Sequence, residues 1–313
     1  MQVATPRALS SSGAPPRLEP SHRRTKFIDV AAPYLFIAPF VLSFLALFVV
    51  PAVYSLVLSL YRYKGYGTAT FLGLDNYRTI LKYHIFWTAL RNTMFYWLAH
   101  VIPLMIIAFL LALLVRSKLI NHKSFYKPII FLPNVMVTVG AALIFQNLFG
   151  TEYGVINNLL GTHIAWLDDP ALRKWVVVAL LIWQGVGWWF VIYLAGLTGI
   201  NPEVEEAALV DGASSWQRLY SVTIPLMRNT FLFAFVIDAI NSFRLFTQPN
   251  VLVARGGALA PSDMAPVLNL LLANLRAAKF GQAAAVGWIV FVLVAAVTVV
   301  QFRLFRDTSE EPR

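Results

Sequence analysis

The chain has 313 residues, of which 58% are hydrophobic and only 13% charged, against roughly 25% charged in an average soluble domain, so its solvent is lipid. The formal net charge of +10 sits on Lys and Arg at the ends of apolar runs rather than on one patch, which suits membrane orientation and argues against a nucleic-acid partner. With no Cys there is no disulfide, thiolate metal ligand or Cys nucleophile.

Residues 1–28 are polar, basic and rich in Pro and Ser, without the apolar core of a secretory signal, and read as a disordered cytoplasmic tail. Because a helix needs about 20 mostly apolar residues to cross the hydrocarbon core, spans are expected at 31–60, 92–115, 128–149, 175–197 and 280–302. A sixth, 224–247, is apolar except for Asp238 and Arg244 and is required by loop parity. The result is a single all-α integral membrane domain over 29–306, six transmembrane helices in all, with a cytoplasmic tail at 307–313.

Basic residues of short loops lie on the cytoplasmic side. Arg7, Arg17, Arg23, Arg24 and Lys26 before the first span, Arg116, Lys118, Lys123 and Lys127 after the second, and Arg303 with Arg306 after the last place both termini inside. Arg62, Lys64, Arg78 and Lys82, between the first two spans, then fall outside and fit the rule less well.

The stretch NPEVEEAALVDGASSWQRLYSVTIP, Asn201–Pro225, is then cytoplasmic. Asn201 caps a helix whose first residue is Pro202, and Glu203, Glu205 and Glu206 sit where the helix dipole favours negative charge. Gly212 after Asp211 makes a turn, and Ser214 with Gln217 forms a capping box for a second short helix. Ala207, Ala208 and Ala213 keep the backbone accessible, while Trp216, Leu219 and Tyr220 form an apolar wedge suited to a groove on another protein. An amphipathic segment lying on the headgroups is the alternative, disfavoured by three acidic residues near an anionic leaflet.

This stretch closely resembles the EAA loop of bacterial ABC importer permeases, matched by Glu206, Ala207, Ala208, Asp211, Gly212, Ala213 and Pro225, with Leu219 in place of the usual Phe. FLGLDNYRTIL (Phe71–Leu81), ALRNT (Ala89–Thr93), FLPNVM (Phe131–Met136) and GVINNLL (Gly154–Leu160) are similar to the carbohydrate-uptake branch, the first permease of maltose-type and glycerol-3-phosphate-type systems. One departure is VARGGALAPSD, Val253–Asp263, where that branch usually carries Thr-x-Gly-Gly-Pro. The resemblance implies the type I ABC importer permease fold with a coupling helix between spans 4 and 5. It also implies a second permease subunit, two ATP-binding subunits that hold ATP and Mg, an extracytoplasmic solute-binding protein and a sugar substrate. Glu206 would meet a basic residue of the ATPase, and Gly212 would set the angle between the short helices. The setting that the resemblance implies is the cytoplasmic (inner) membrane of a bacterium. The sequence has no Gly-x-x-x-x-Gly-Lys-Ser/Thr, so this chain has no phosphate-cradling loop and is read as a non-catalytic subunit with no cofactor of its own.

For the solute path, a period of about 100° per residue groups Asp238, Asn241, Ser242, Leu245 and Gln248 on one face of the fifth span, with Arg244 off its edge. Such a polar stripe lines a sugar pathway, hydrogen-bonds the second permease subunit, or holds a charge pair involving Asp238. In the fourth span, Trp183 and Gln184 are deep enough to join it, whereas Trp188 and Trp189 read as interfacial anchors or packing. His100 reads as a packing residue, and no His-Glu-x-x-His suggests a metal. The rival function is an ion-coupled secondary transporter using Asp238 and Arg244, which predicts inverted repeats and discontinuous helices; the sequence shows no internal duplication. A lipid-linked transferase would need clustered carboxylates or His at the membrane face, and a pore would not need the capped hairpin.

Overall fold

The computed structural model describes residues 22–117, 119–253 and 258–305, with side chains from Ala32 onward. Lys118, Arg306 and most of the segment expected as an N-terminal tail therefore lie outside the described residues. The chain divides into two units, Met1–Tyr54 and Ser55–Arg313.

The first unit is helical from His22. Helix α1 (His22–Phe44) contains Pro33 and Pro39 and passes through a wider π turn at Leu45–Val49 into α2 (Val50–Ser59). From Ala32 to Ser59 it is long and apolar enough to cross a membrane, and rings such as Phe36, Phe40 and Phe48 are exposed. Exposed Phe on a continuous apolar helix fits a lipid or protein environment rather than water.

In the second unit, a two-stranded ribbon, β1 (Tyr61–Arg62) and β2 (Thr70–Phe71), precedes α3 (Asp75–Lys82) and α4 (His84–Arg116). Next come α5 (Lys123–Val135), α6 (Thr138–Leu148), α7 (Val155–Leu160) and α8 (Arg173–Thr198). After these follow α9 (Pro202–Val210), α10 (Ser215–Arg218), α11 (Ile224–Leu226) and α12 (Arg228–Phe243). The last described elements are α13 (Thr247–Val253), α14 (Val267–Arg276) and α15 (Phe280–Phe305). Helices α4 and α8 pack most extensively and form the central pair. Ala108 and Ala112 are fully buried there, letting the helices approach as small residues do in membranes. The Tyr193 hydroxyl meets Met105 Sδ at 2.9 Å.

Among the described residues four helices meet the length and apolarity of a span, and the count reaches six if each of two bent pairs is one span. The apolar run expected at 128–149 is broken: α5 and α6 meet at 93° across Met136, which is extended, and Val137, which is non-helical at φ −59°, ψ 129°. Pro133 lacks the N–H that the preceding turn needs, which weakens the helix just before the break. Gln184 of α8 satisfies the freed backbone, donating from Nε2 to the Met136 carbonyl at 3.2 Å. The run expected at 224–247 is also bent, by 61° at Met227, after Pro225 and a π turn at Leu219–Thr223. Its helix ends at Phe243, where Arg244 leaves helical geometry at φ −93°, ψ 4°.

Connections beyond the spans are fixed by Asn and Thr side chains bonded to backbone. Asn92 Nδ2 donates to the Ser262 and Ala265 carbonyls at 3.2 and 3.0 Å, and Thr93 Oγ1 accepts from Val267 N–H at 2.9 Å. Asn157 gathers the Thr151 and Ile164 carbonyls and the Trp166 indole N–H around one amide. Asn250 and Asn269 bond each other reciprocally. A buried amide that satisfies several backbone groups locks an irregular loop that would otherwise leave polar atoms unpaired.

Candidate functional site: an intramembrane cavity and a capped hairpin

Two assemblies carry the chemistry. The first is a cavity of about 560 Å³ bounded by α4, the α5–α6 break, α8, α12 and the start of α13. Asp238, Asn241, Ser242, Leu245, Gln248 and Gln184 all line it. Gln248 reaches it from α13, beyond the end of α12, so the helical period that selected it does not apply. Trp183 is not among the lining residues; its ring packs 5.4 Å from Phe145 in the neighbouring apolar cluster. Trp188 and Trp189, expected to anchor or pack, do line it, and Arg244, expected off the edge of the stripe, lines it too.

His100 also borders the cavity. Its Nδ1 lies 2.6 Å from the Tyr96 carbonyl, and a carbonyl only accepts, so Nδ1 carries a proton. Its Nε2 faces the Asp238 carboxyl at 3.3 Å from Oδ1 and 3.2 Å from Oδ2. Both side chains are 7% exposed. Asp238 Oδ2 has no hydrogen-bond partner. The Ser242 hydroxyl is committed to the Asp238 carbonyl at 2.8 Å. Asn241, Arg244 and Gln248 thus offer donors and acceptors beside a carboxylate oxygen with spare capacity, which is the chemistry that hydroxyl-rich solutes need. The carboxylate pairs with His100, not with Arg244 as an ion-coupling reading would have it. Spacing gave no signal for this pair, since the two residues come from α4 and α12. Among the described residues no three His, Asp or Glu converge as metal ligands do.

The second assembly is the hairpin α9–α10. Asn201 Oδ1 accepts from Glu203 N–H at 3.0 Å with Pro202 opening the helix. Ser214 and Gln217 close a reciprocal capping box at 3.3 and 2.8 Å. Gly212 at φ +78° turns the chain between the helices, a conformation that side chains resist. Glu206, Ala207 and Asp211 are exposed, Ala208, Ala213 and Leu219 half-buried, and Pro225 exposed. Around them Val210, Trp216 and Tyr220 are also exposed, with the Trp216 and Tyr220 rings 5.3 Å apart. Glu205 is turned the other way: Arg116, closing α4, holds it in a two-pronged ion pair at 2.7 and 2.9 Å. The sequence signals had assigned these two residues separately, to loop charge and to helix dipole.

Residues 83–310 match the family described as Binding-protein-dependent transport system inner membrane component. The lactose transport system permease protein LacF of Rhizobium radiobacter is 30% identical, covering 90% of this chain and 96% of that protein. The arabinooligosaccharides transport system permease protein AraP of Bacillus subtilis is 31% identical, covering 88% of each. Among solved structures, a chain of a bacterial ABC transporter involved in the import of the acidic polysaccharide alginate aligns with a TM-score of 0.78 at 21% identity, over 92% of this chain and all of that one.

Proposed function

The chain belongs to the family of binding-protein-dependent transport system inner membrane components, and from that premise we propose that it is the permease subunit of an ATP-driven importer whose cargo is a sugar or related polyol. Relatives named for lactose and arabinooligosaccharides support the cargo class. In this reading six spans cross the inner membrane, with the broken α5–α6 and the bent α11–α12 counted as one span each. Both termini are cytoplasmic. The cavity is this subunit's share of the solute path, and the hairpin is the coupling helix that docks on an ATPase. A second permease subunit, two ATPases holding ATP and Mg, and an external solute-binding protein complete the machine. This chain's own role is positional: it forms part of the path and transmits movement.

One observation carries the reading. From α10 the chain runs through a π turn, α11 and the single bend at Met227 into α12, whose Asp238, Asn241 and Ser242 line the cavity. Docking surface and solute contacts therefore lie on one short continuous segment, so a tilt imposed at Trp216 and Tyr220 reaches the cavity wall without crossing a loose loop. Broken helices that line a polar cavity are also how transport proteins tolerate irregular backbone at membrane depth.

The test is uptake by the purified complex in proteoliposomes. Sugar should enter only with ATP, the ATPase subunits and the solute-binding protein present, and Glu206→Lys should abolish both ATPase retention and uptake. Solute entering at full rate without nucleotide would refute the reading.

A further inference from the structure

The end of the bundle away from the hairpin carries a feature that the transport path does not use. Helix α4 runs from His84 at this end to Arg116 at the hairpin, so the two ends are distinct. Around a cavity of about 510 Å³ stand Arg62 from β1, Lys64 from the loop after it, Arg78 and Lys82 from α3, and Lys279 immediately before α15. The only carboxylate in the wall is Asp75, already engaged by Arg78 at 3.3 Å. Five exposed cations and one carboxylate around one hollow give it a positive potential that favours an anion. Four of the five are the residues that fit orientation by basic loops least well.

This hollow is built, not a loose loop. Asn76, 3% exposed, donates from Nδ2 to the Ser59 and Tyr61 carbonyls at 2.8 and 3.0 Å. Phe280 N–H donates to the Tyr63 carbonyl at 3.1 Å, stitching the segment after β1 to α15. A Cβ on Gly281 would fall 1.9 Å from the Tyr61 carbonyl oxygen, so only glycine allows the ribbon this close. The backbone bearing Arg62 and Lys64 is therefore fixed against the helix start that Lys279 immediately precedes.

The surroundings identify the anion. The cavity sits where α2 ends and α4 and α15 begin, the level of the headgroups for spanning helices. Its margin is apolar and aromatic, with Leu74, Leu81, Tyr83 and Trp87 exposed, and the Trp87 indole N–H donates to the Leu81 carbonyl at 2.8 Å. Tyr and Trp at span ends settle at that level at either membrane face, and Arg and Lys hold phosphate oxygens by charge-assisted hydrogen bonds. We infer that the cavity binds the phosphate of an anionic phospholipid headgroup, with the apolar margin against its glycerol and upper acyl chains. The inference rests on the chain's being a membrane subunit and not on its cargo.

The assembled transporter, purified in mild detergent and offered phosphatidylglycerol or phosphatidylcholine, should retain phosphatidylglycerol selectively in native mass spectrometry. Arg62→Gln, Lys82→Gln and Lys279→Gln together should weaken that retention about tenfold, at roughly a factor of two per exposed basic residue. The charge-conserving set Arg62→Lys, Lys82→Arg and Lys279→Arg should keep it, which separates loss of charge from loss of fold. Equal retention of both lipids, or unchanged retention in the neutral variant, would overturn the site. Displacement of the lipid by inorganic phosphate at equal concentration would reassign the site to a soluble phosphate. If the neutral variant lost docking of the solute-binding protein while keeping the lipid, the patch would be a protein surface and the inference would fail. Sugar uptake is read separately, so a wrong cargo leaves this result intact.

Discussion

The hairpin at Asn201–Arg218 and the cavity beside α12 are held together in opposite ways. In the hairpin, the cap at Asn201, the turn at Gly212 and the box between Ser214 and Gln217 join residues two or three apart, mostly exposed. In the cavity, the decisive contact joins His100 and Asp238, far apart in sequence and buried. A locally determined, exposed element can move as a unit without unfolding the bundle, whereas a buried pair between two helices ties their positions to the stability of the whole. The difference suits a docking piece at one end and a solute-facing wall at the other. It also says where substitutions should cost stability and where they should cost only coupling.

The largest effect is expected at the buried pair. Leu at position 100 leaves the Asp238 carboxylate without its partner, and breaking a buried pair on one side costs about 3–5 kcal/mol. Thermal unfolding of the purified complex should fall sharply for His100→Leu and recover in large part for His100→Leu with Asp238→Leu, where no charge is stranded. A single variant as stable as the parent would mean that the pair does not hold α4 to α12.

Asn241→Leu and Gln248→Leu come next and separate the two uses of the stripe. If these amides bond a passing solute, uptake should drop about tenfold to a hundredfold, the range for leaving buried hydrogen-bonding groups unmet at roughly 1–3 kcal/mol. The complex would then stay intact on size exclusion. Loss of the second permease from the complex would make the stripe a subunit contact instead.

How much of this was legible in the sequence follows the same division. Every signal in the hairpin is short-range chemistry, so Asn201, Pro202, Gly212, Ser214 and Gln217 could be read directly, and each sits as read. The cavity depends on where helices stop and how they pack. Gln248 was grouped with Asp238 by a period that lapses at Arg244, yet a second helix brings it to the same wall. Trp183 was favoured over Trp188 by depth, whereas rotation about α8 decides which ring faces the cavity. His100 was legible only as a polar residue in a span, because its partner lies on a different helix. The break at Met136 had a local hint in Pro133, but what stabilises it is Gln184 of α8.

Gly212→Val tests the hairpin alone. No atom lies within 4 Å of a Cβ built there, so its only cost is the left-handed backbone, about 1–2 kcal/mol. The bundle should melt at the parent's temperature while ATPase retention and uptake fall together. Gly212→Asn should be milder, since Asn tolerates this region. A fall in melting temperature without loss of the ATPase would reverse the division drawn between the two regions.

Smaller again is the tie from Arg116 to Glu205, which joins the hairpin to α4. The pair is about one quarter exposed on each side, and the solvent near it limits Arg116→Gln to about 1 kcal/mol. The effect should appear as looser coupling, with ATP hydrolysis less dependent on the solute-binding protein, and the exchange Arg116→Glu with Glu205→Arg should restore part of it.

The smallest expected effect is at Ser214. Its hydroxyl accepts one backbone N–H of a four-residue helix, while the Gln217 side chain returns a bond to the Ser214 N–H. Removing the hydroxyl in Ser214→Ala costs about 0.5 kcal/mol, the low end for an exposed cap, and leaves the returning bond in place. So small a change is invisible in the melting of a complex anchored by α4 and α8. It should still shift the fraction of time α10 is formed, and amide hydrogen exchange at Gln217 and Arg218 should rise by about twofold, since 0.5 kcal/mol is a little more than a factor of two in an opening equilibrium. Exchange rising equally across α12 would show that hairpin and cavity wall open as one unit, and the two regions would then be one element, not two.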